Sequence, residues 1–166
     1  MSMSTVVLEA LNQQINAELG ASYEYLAMSA WCSSQHLHGT AKWLRLQSQE
    51  EYGHAMKLYD FVLDRGGDVA LKAMAAPTQK FASLHEVFER VSKQEQAVSV
   101  QIDTLYELAF KEKSYSATVE LQWFLTEQVE EEKSAREILA RLKLIANDPA
   151  ALFDFDRDLG NRTTAE

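Results

Sequence analysis

The chain has 166 residues, with 25 acidic against 16 basic ones and a formal net charge of −9. That balance excludes a nucleic-acid surface, which needs a basic stripe to meet phosphates, and no apolar run approaches the ~20 residues of a membrane span. With 46% apolar residues but only six Gly and two Pro, the chain can build a large core from few long elements, and its single Cys rules out an internal disulfide.

Punctuation marks four long helices and a short fifth. Helix one is expected over residues 4–36, turning near His36-Leu37-His38-Gly39. Read in sevens, it aligns Leu8, Ile15, Ser22 and Ser29 on one row and Leu11, Glu18, Tyr25 and Cys32 on the next. Helix two is expected over residues 40–65 and stops at Gly66-Gly67, a C-terminal signal. Its rows are Leu44, Glu51, Leu58 and Gln47, His54, Phe61.

Helix three is expected over residues 83–111, with Ser83 as N-cap and Glu86 three residues on in capping-box position. It aligns Leu84, Val91, Val98, Leu105 beside Phe88, Glu95, Ile102, Ala109. Helix four, over residues 115–146, aligns Leu121, Gln128, Ala135, Leu142 beside Phe124, Glu131, Ile138, Ile145. Asn147-Asp148-Pro149 then reads as a cap with proline at the first helical position, opening a helix over residues 149–159. The fold class is all-α: a four-helix bundle in one domain over residues 1–166, plus a short fifth helix.

Short turns make helices one and two, and three and four, antiparallel hairpins. The connection from Arg65 to Ala82 is long for a structureless loop. A helix of ~25 residues is roughly 38 Å long, and about 18 extended residues reach at most ~60 Å. The connection can therefore cross the whole bundle, with the second hairpin expected to start at the same end as the first.

Each helical seam is interrupted by one carboxylate: Glu18, Glu51, Glu95 and Glu131. Burying an uncompensated carboxylate costs several kcal/mol, and no Lys or Arg stands in these seams. Two divalent cations would balance the four charges, and a neutral His54 adds a nitrogen ligand. Glu51 and His54, at i and i+3, share one helical face. Glu18 completes one site, Glu95 and Glu131 hold a second, and Glu51 is placed to bridge. Oxygen-rich ligands with one imidazole suit Fe(II), Mn(II) or Zn(II) without choosing among them. The arrangement follows a known pattern of carboxylate-bridged helical bundles.

The specific motifs are Leu11-Asn-Gln-Gln-Ile-Asn-Ala-Glu18 with Tyr25, Met28-Ser-Ala-Trp31-Cys32, Gln49-Glu50-Glu51-Tyr52-Gly53-His54, and Lys93-Gln-Glu95-Gln96. The last is Leu121-Gln-Trp123-Phe-Leu-Thr-Glu127-Gln128-Val-Glu130-Glu131-Glu132-Lys133. In these segments, and over nearly its whole length, the chain resembles the bacterial-type non-haem ferritins. The resemblance implies a ferroxidase centre with Glu18, Glu51 and His54 at one iron, and Glu51, Glu95 and Glu131 at the other. It implies a third iron position using Glu50, Glu127, Glu130 and Glu131, a redox-active Tyr25, and Gln128 as a supporting amide. It further implies a hollow homo-oligomer of 24 subunits that oxidises Fe(II) with O₂ or H₂O₂ and stores ferric mineral.

Departures from neighbouring families narrow the reading. Helix four lacks the second Glu-x-x-His of bacterioferritins and di-iron oxygenases, reading Glu127-x-x-Glu130 and Gln128-x-x-Glu131. Tyr52 follows Glu51 where bacterioferritins carry a haem-ligating methionine, so no haem is expected. Miniferritins that protect DNA place ligands between subunits and fit poorly. The competing readings are a non-storing di-iron peroxidase or oxygenase, and a structural bundle binding adventitious cations.

No nucleic-acid or membrane partner is expected. The start Met1-Ser-Met-Ser-Thr-Val-Val-Leu-Glu has no basic segment before an apolar stretch, so the expected location is cytoplasmic. Trp31 and Trp123 read as packing residues and Cys32 as an inert buried thiol. Gly53 costs helix two about 1 kcal/mol relative to Ala, for which close packing near the centre is the available reading.

Overall fold

The computed structural model describes residues 3–163, so Met1, Ser2 and the last three residues of the expected domain lie outside it. Five helices follow in order: α1 (Thr5–Ser34), α2 (His38–Asp64), α3 (Leu84–Lys111), α4 (Tyr115–Ile145) and α5 (Pro149–Gly160). Among the described residues there is no strand. The architecture is a four-helix bundle with one long crossover and a short C-terminal helix.

Local chemistry accounts for most of the boundaries. Ser83 Oγ accepts the Glu86 amide (3.1 Å), while the Glu86 carboxylate accepts the Ala82 amide (2.6 Å) one residue before the position a capping box would use. Asp148 Oδ1 accepts the Ala150 amide (2.9 Å), and Pro149 occupies the first turn. At the end of α2, Gly66 has φ +70 and the Gly67 amide reaches back to the Val62 carbonyl (2.9 Å).

Helix α2 begins at His38, earlier than expected, and His38 and Gly39 are helical rather than turn residues. The reason is tertiary. Asp156 of α5 accepts the Gly39 and Thr40 amides (3.0 and 2.8 Å) and the Thr40 hydroxyl (2.7 Å), capping α2 from outside its own sequence. The turn itself is made by His36 at φ 61, not by Gly39. Gly39 is needed for a different reason: a Cβ there would collide with the Asp156 carbonyl, and one on Gly160 would lie 3.0 Å from Gly39 Cα.

The crossover corrects the expected topology. Asn12 Nδ2 donates to the Asp68 carbonyl (2.9 Å), and its Oδ1 accepts the Ala70 amide (2.7 Å). Asn16 repeats the pattern one turn on, with the Ala70 carbonyl (2.8 Å) and the Lys72 amide (2.7 Å). Four helical residues advance ~6 Å and two extended ones ~6.6 Å, so the two asparagines match an extended chain running parallel to α1. Leu8 lies against Gly67 at one end of that run and Trp31 against Phe81 at the other. Helix α3 therefore starts where α1 finishes, and the second hairpin begins at the opposite end of the bundle from the first. Crossing the bundle's length leaves no other geometry.

The apolar core is split into two. One cluster gathers Tyr25, Met28, Cys32, Trp43, Leu44, Phe88 and Phe155 with their neighbours. The other gathers Val7, Leu11, Ile15, Leu58, Ile102, Leu121 and Phe124. Between them, at the level of Glu18, Glu51, Glu95 and Glu131, the interior is polar. Gly53 does not contribute packing there: a Cβ on it would meet nothing within 4 Å.

Candidate metal centre

Helix periodicity brings the four interrupting carboxylates inward from four helices. Glu18 and Glu95 are fully buried, Glu51 is 1% exposed, His54 3% and Glu131 7%. One ligand atom from each of Glu18, Glu51 and His54 lies within 4.8 Å of the others, and the same holds for His54, Glu127 and Glu131. His54 thus stands in both groups.

Hydrogen bonding divides the carboxylates. Glu18 Oε1 accepts from Gln14 Nε2 (2.8 Å). Glu131 Oε2 accepts from Gln47 Nε2 (2.9 Å). Glu95 accepts the Tyr25 hydroxyl at Oε1 and Gln128 Nε2 at Oε2 (3.4 Å), and the same amide reaches the Glu95 carbonyl and Ser99 Oγ. By contrast Glu18 Oε2, both Glu51 oxygens and both His54 nitrogens are buried without a hydrogen bond. His54 Nδ1 and Glu51 Oε2 lie 3.2 Å apart but misaligned for hydrogen bonding. Buried polar atoms normally find partners, so lone pairs left converging from three side chains fit a cation.

The electrostatics agree. Burial, and then the neighbouring carboxylates, raise Glu51 well above the ordinary carboxylate range. Burial pushes Glu131 up to about 8, with Glu95 and Glu50 adding to the rise. It also pushes Glu95 up to about 7, against the lowering effect of its Tyr25 and Gln128 donors. Tyr25 is itself raised well above 10 by burial and by Glu95, so its phenol stays a proton donor. The raised carboxyls of Glu51, Glu95 and Glu131 favour protons that a cation would displace.

The remaining expected residues fall in different places. Glu50 is buried, but its Oε1 accepts Arg162 Nη2 at 2.5 Å. Glu127 is half-buried beside His54 and Glu131, whereas Glu130 is exposed and belongs to neither ligand group. Cys32 is buried, and burial lifts its thiol to about 12. Trp123 does more than pack at a distance: its ring lies 5.3 Å from the His54 ring, with Lys57 Nζ 5.1 Å above it.

Sequence reading overlooked three supporting residues: Gln14, Gln47 and Arg162. Gln47 stood in a helical seam, a position where an amide needs an internal partner, and that signal was available. Arg162 lies in the tail beyond α5, where no periodicity marks it.

Against this geometry, the ferritin-like domain profile matches residues 8–145. The chain is 40% identical over 162 residues to a probable bacterial non-heme ferritin-like protein of Haemophilus influenzae, covering 98% of each. It is 38% identical over 164 residues to a bacterial non-heme ferritin of Staphylococcus aureus, covering 99% of each. Among solved structures, an open-pore ferritin from the archaeon Archaeoglobus fulgidus superposes with TM-score 0.96 at 43% identity, over 97% of this chain and 98% of that one. A humanized archaeal ferritin gives 0.97 at 42%, over 99% and 100%.

Proposed function

The chain belongs to the ferritin-like family, and from that premise we propose that it is an iron-storage protein that oxidises its own cargo. Fe(II) is the substrate, taken by Glu18, Glu51 and His54 at one position and by Glu51, Glu95 and Glu131 at the other. Glu50, Glu127, Glu130 and Glu131 serve a third, neighbouring position. Each of the paired ferrous ions gives up one electron, and the two electrons with two protons reduce O₂ to peroxide or peroxide to water. Ferric product passes to a mineral inside a hollow homo-oligomer of about 24 copies. The protein works as a single domain in the cytoplasm, without haem.

The observation that carries this reading is the converging set of buried, unbonded ligand atoms on Glu18, Glu51 and His54. The chain's residues divide the work. Glu51 lies with Glu18 and His54 and feels the charges of Glu95 and Glu131 across the layer, which supports it as the bridging group. Gln14 and Gln47 each hold one oxygen of Glu18 and Glu131, and Tyr25 and Gln128 hold the two of Glu95, which fixes how the carboxylates are oriented. Four carboxylates balance two divalent ions; oxidation raises the cation charge beyond that balance and favours onward transfer. No helix among the described residues is long and apolar enough to cross a membrane.

The test is to load the metal-free protein with excess Fe(II) in air and follow iron and protein together through size exclusion. Tens of irons per chain on a particle near 24 subunits are expected. About two irons per chain on a small oligomer would overturn storage and favour a non-storing di-iron enzyme. Glu51→Ala should abolish fast oxidation, since it removes the ligand common to both positions; retained fast kinetics would remove the bridging role.

A further inference from the structure

The tail beyond α5 enters the candidate metal centre. Arg162 is only 21% exposed, and its guanidinium makes two contacts inside the bundle. Nη2 donates to Glu50 Oε1 at 2.5 Å, and Nη1 donates to Gln47 Oε1. On the way in, the guanidinium lies 5.3 Å from the centre of the Trp43 ring. Trp43, Gln47 and Glu50 are at i, i+4 and i+7 of α2, one continuous face leading from its N-terminal end toward Glu51 and His54.

Docking of α5 sets that path. Asp156 caps α2, Lys42 Nζ donates to the Gly160 carbonyl (2.9 Å), and Gly39 and Gly160 touch through their backbones. Arg162 follows two residues after Gly160, with its amide bonded to the Leu159 carbonyl (3.3 Å). The guanidinium is therefore delivered by a fixed helix, not by a free tail.

Two consequences follow from its chemistry. A guanidinium has donors only, so Gln47 must present its oxygen to Arg162 and its NH₂ to Glu131, as observed at 2.9 Å. The bond to Glu50 is between opposite charges, one of them only 2% exposed, the class of hydrogen bond that is hardest to displace. The arginine therefore holds a carboxylate that a third cation would otherwise use.

We propose that Arg162 is a latch on the third cation position: it occupies Glu50 and fixes Gln47, and a third cation binds there only as the guanidinium withdraws. This rests on the reading of Glu50, Glu127, Glu130 and Glu131 as a third cation position. The first position does not depend on the latch, because Glu18, Glu51 and His54 make no contact with Arg162, whereas the second meets it at one remove, through the Gln47–Glu131 bond. The arginine is a positioning residue that sets how many cations one subunit holds.

The experiment is calorimetric titration of the full-length, metal-free protein with Zn²⁺, which cannot be oxidised. Wild type and Arg162→Gln are compared, with Trp43 emission followed in parallel. Arg162→Gln should bind the first cation as wild type does, the second within about threefold, and the third at least about tenfold more tightly, the gain expected when a latch leaves the open arrangement in a tenth of molecules or fewer. Arg162→Lys, which keeps the charge but not the fork, should fall between them. In wild type the third cation should change Trp43 emission as the guanidinium leaves the ring. That change should be absent from Arg162→Gln and from Trp43→Phe.

A third affinity that is equal or weaker in Arg162→Gln, with the first two intact, would overturn the latch alone. If the first two cations bind weakly in wild type and are insensitive to Glu51→Ala, the reading of the centre itself fails. Should Arg162→Gln fold poorly, the Trp43 signal in wild type and Arg162→Lys still decides, because emission unchanged through the third cation would show that the guanidinium does not move.

Discussion

Tyr25 of α1 donates its hydroxyl to Glu95 of α3 across the centre of the bundle, 70 residues away in sequence. The phenol fills the junction between one apolar cluster and the carboxylate layer, with its oxygen on Glu95. Because that bond holds the Glu95 carboxyl down against burial, Tyr25→Phe should let it rise further. Zn²⁺ binding near pH 6.5 should then weaken by roughly three- to tenfold, with its pH midpoint displaced upward. An unchanged midpoint would show that Gln128 alone sets Glu95. Loss of the donor should also cost about 1–3 kcal/mol of stability, and a tyrosyl radical that persists after iron oxidation in the variant would exclude Tyr25 as its carrier.

The raised carboxyls predict an unusual pH dependence for the metal-free protein. Glu95, near 7, and Glu131, near 8, bind protons more firmly folded than unfolded, where the ordinary value is 4.5. Their contribution to stability is complete below about pH 4.5 and is lost as pH rises through about 7 to 8. The melting temperature should fall from about pH 5 to about pH 8 and level off above that, and saturating Zn²⁺ should flatten the fall. Glu131→Gln, which cannot ionise, should reduce the slope; identical slopes in both proteins would remove the site as its cause.

Asn12 is predicted to hold the crossover. Its amide makes two bonds to the extended backbone, at Asp68 and Ala70. Asn12→Ala should destabilise by about 1–3 kcal/mol and speed protease cleavage near Leu71. Asn12→Asp keeps the acceptor for the Ala70 amide and should be milder. Equal protease rates in wild type and Asn12→Ala would mean that the crossover is held elsewhere.

Gly39→Ala tests the seat of α5. The new methyl would run into the Asp156 carbonyl, so α5 must shift and the α2 cap must lengthen. A loss of about 1–3 kcal/mol is expected, read by thermal denaturation, along with altered Trp43 emission. Gly53→Ala, where a methyl meets no neighbour, is the control and should stabilise the helix by about 1 kcal/mol.

Much of this architecture is legible in the residues alone. Ser83, Asp148 and Gly66-Gly67 end their helices by bonds spanning a few residues, so caps and boundaries can be read locally. Helical periodicity likewise turns Glu18, Glu51, Glu95 and Glu131 inward on four helices, because each row depends only on its own segment. Their burial could thus be expected before any packing was known.

Other features belong to the packing of distant segments, and no local pattern carries them. The direction of α3 is decided by Asn12 and Asn16 stitching the crossover parallel to α1. The start of α2 is decided by Asp156, more than a hundred residues downstream. The same folding leaves Glu130 in solvent, sets Glu127 beside His54, and brings Arg162 over Trp43 to Glu50. Periodicity tells which way a side chain faces along its own helix; what it meets there depends on how far another element's side chain reaches, and that is a property of the assembled bundle.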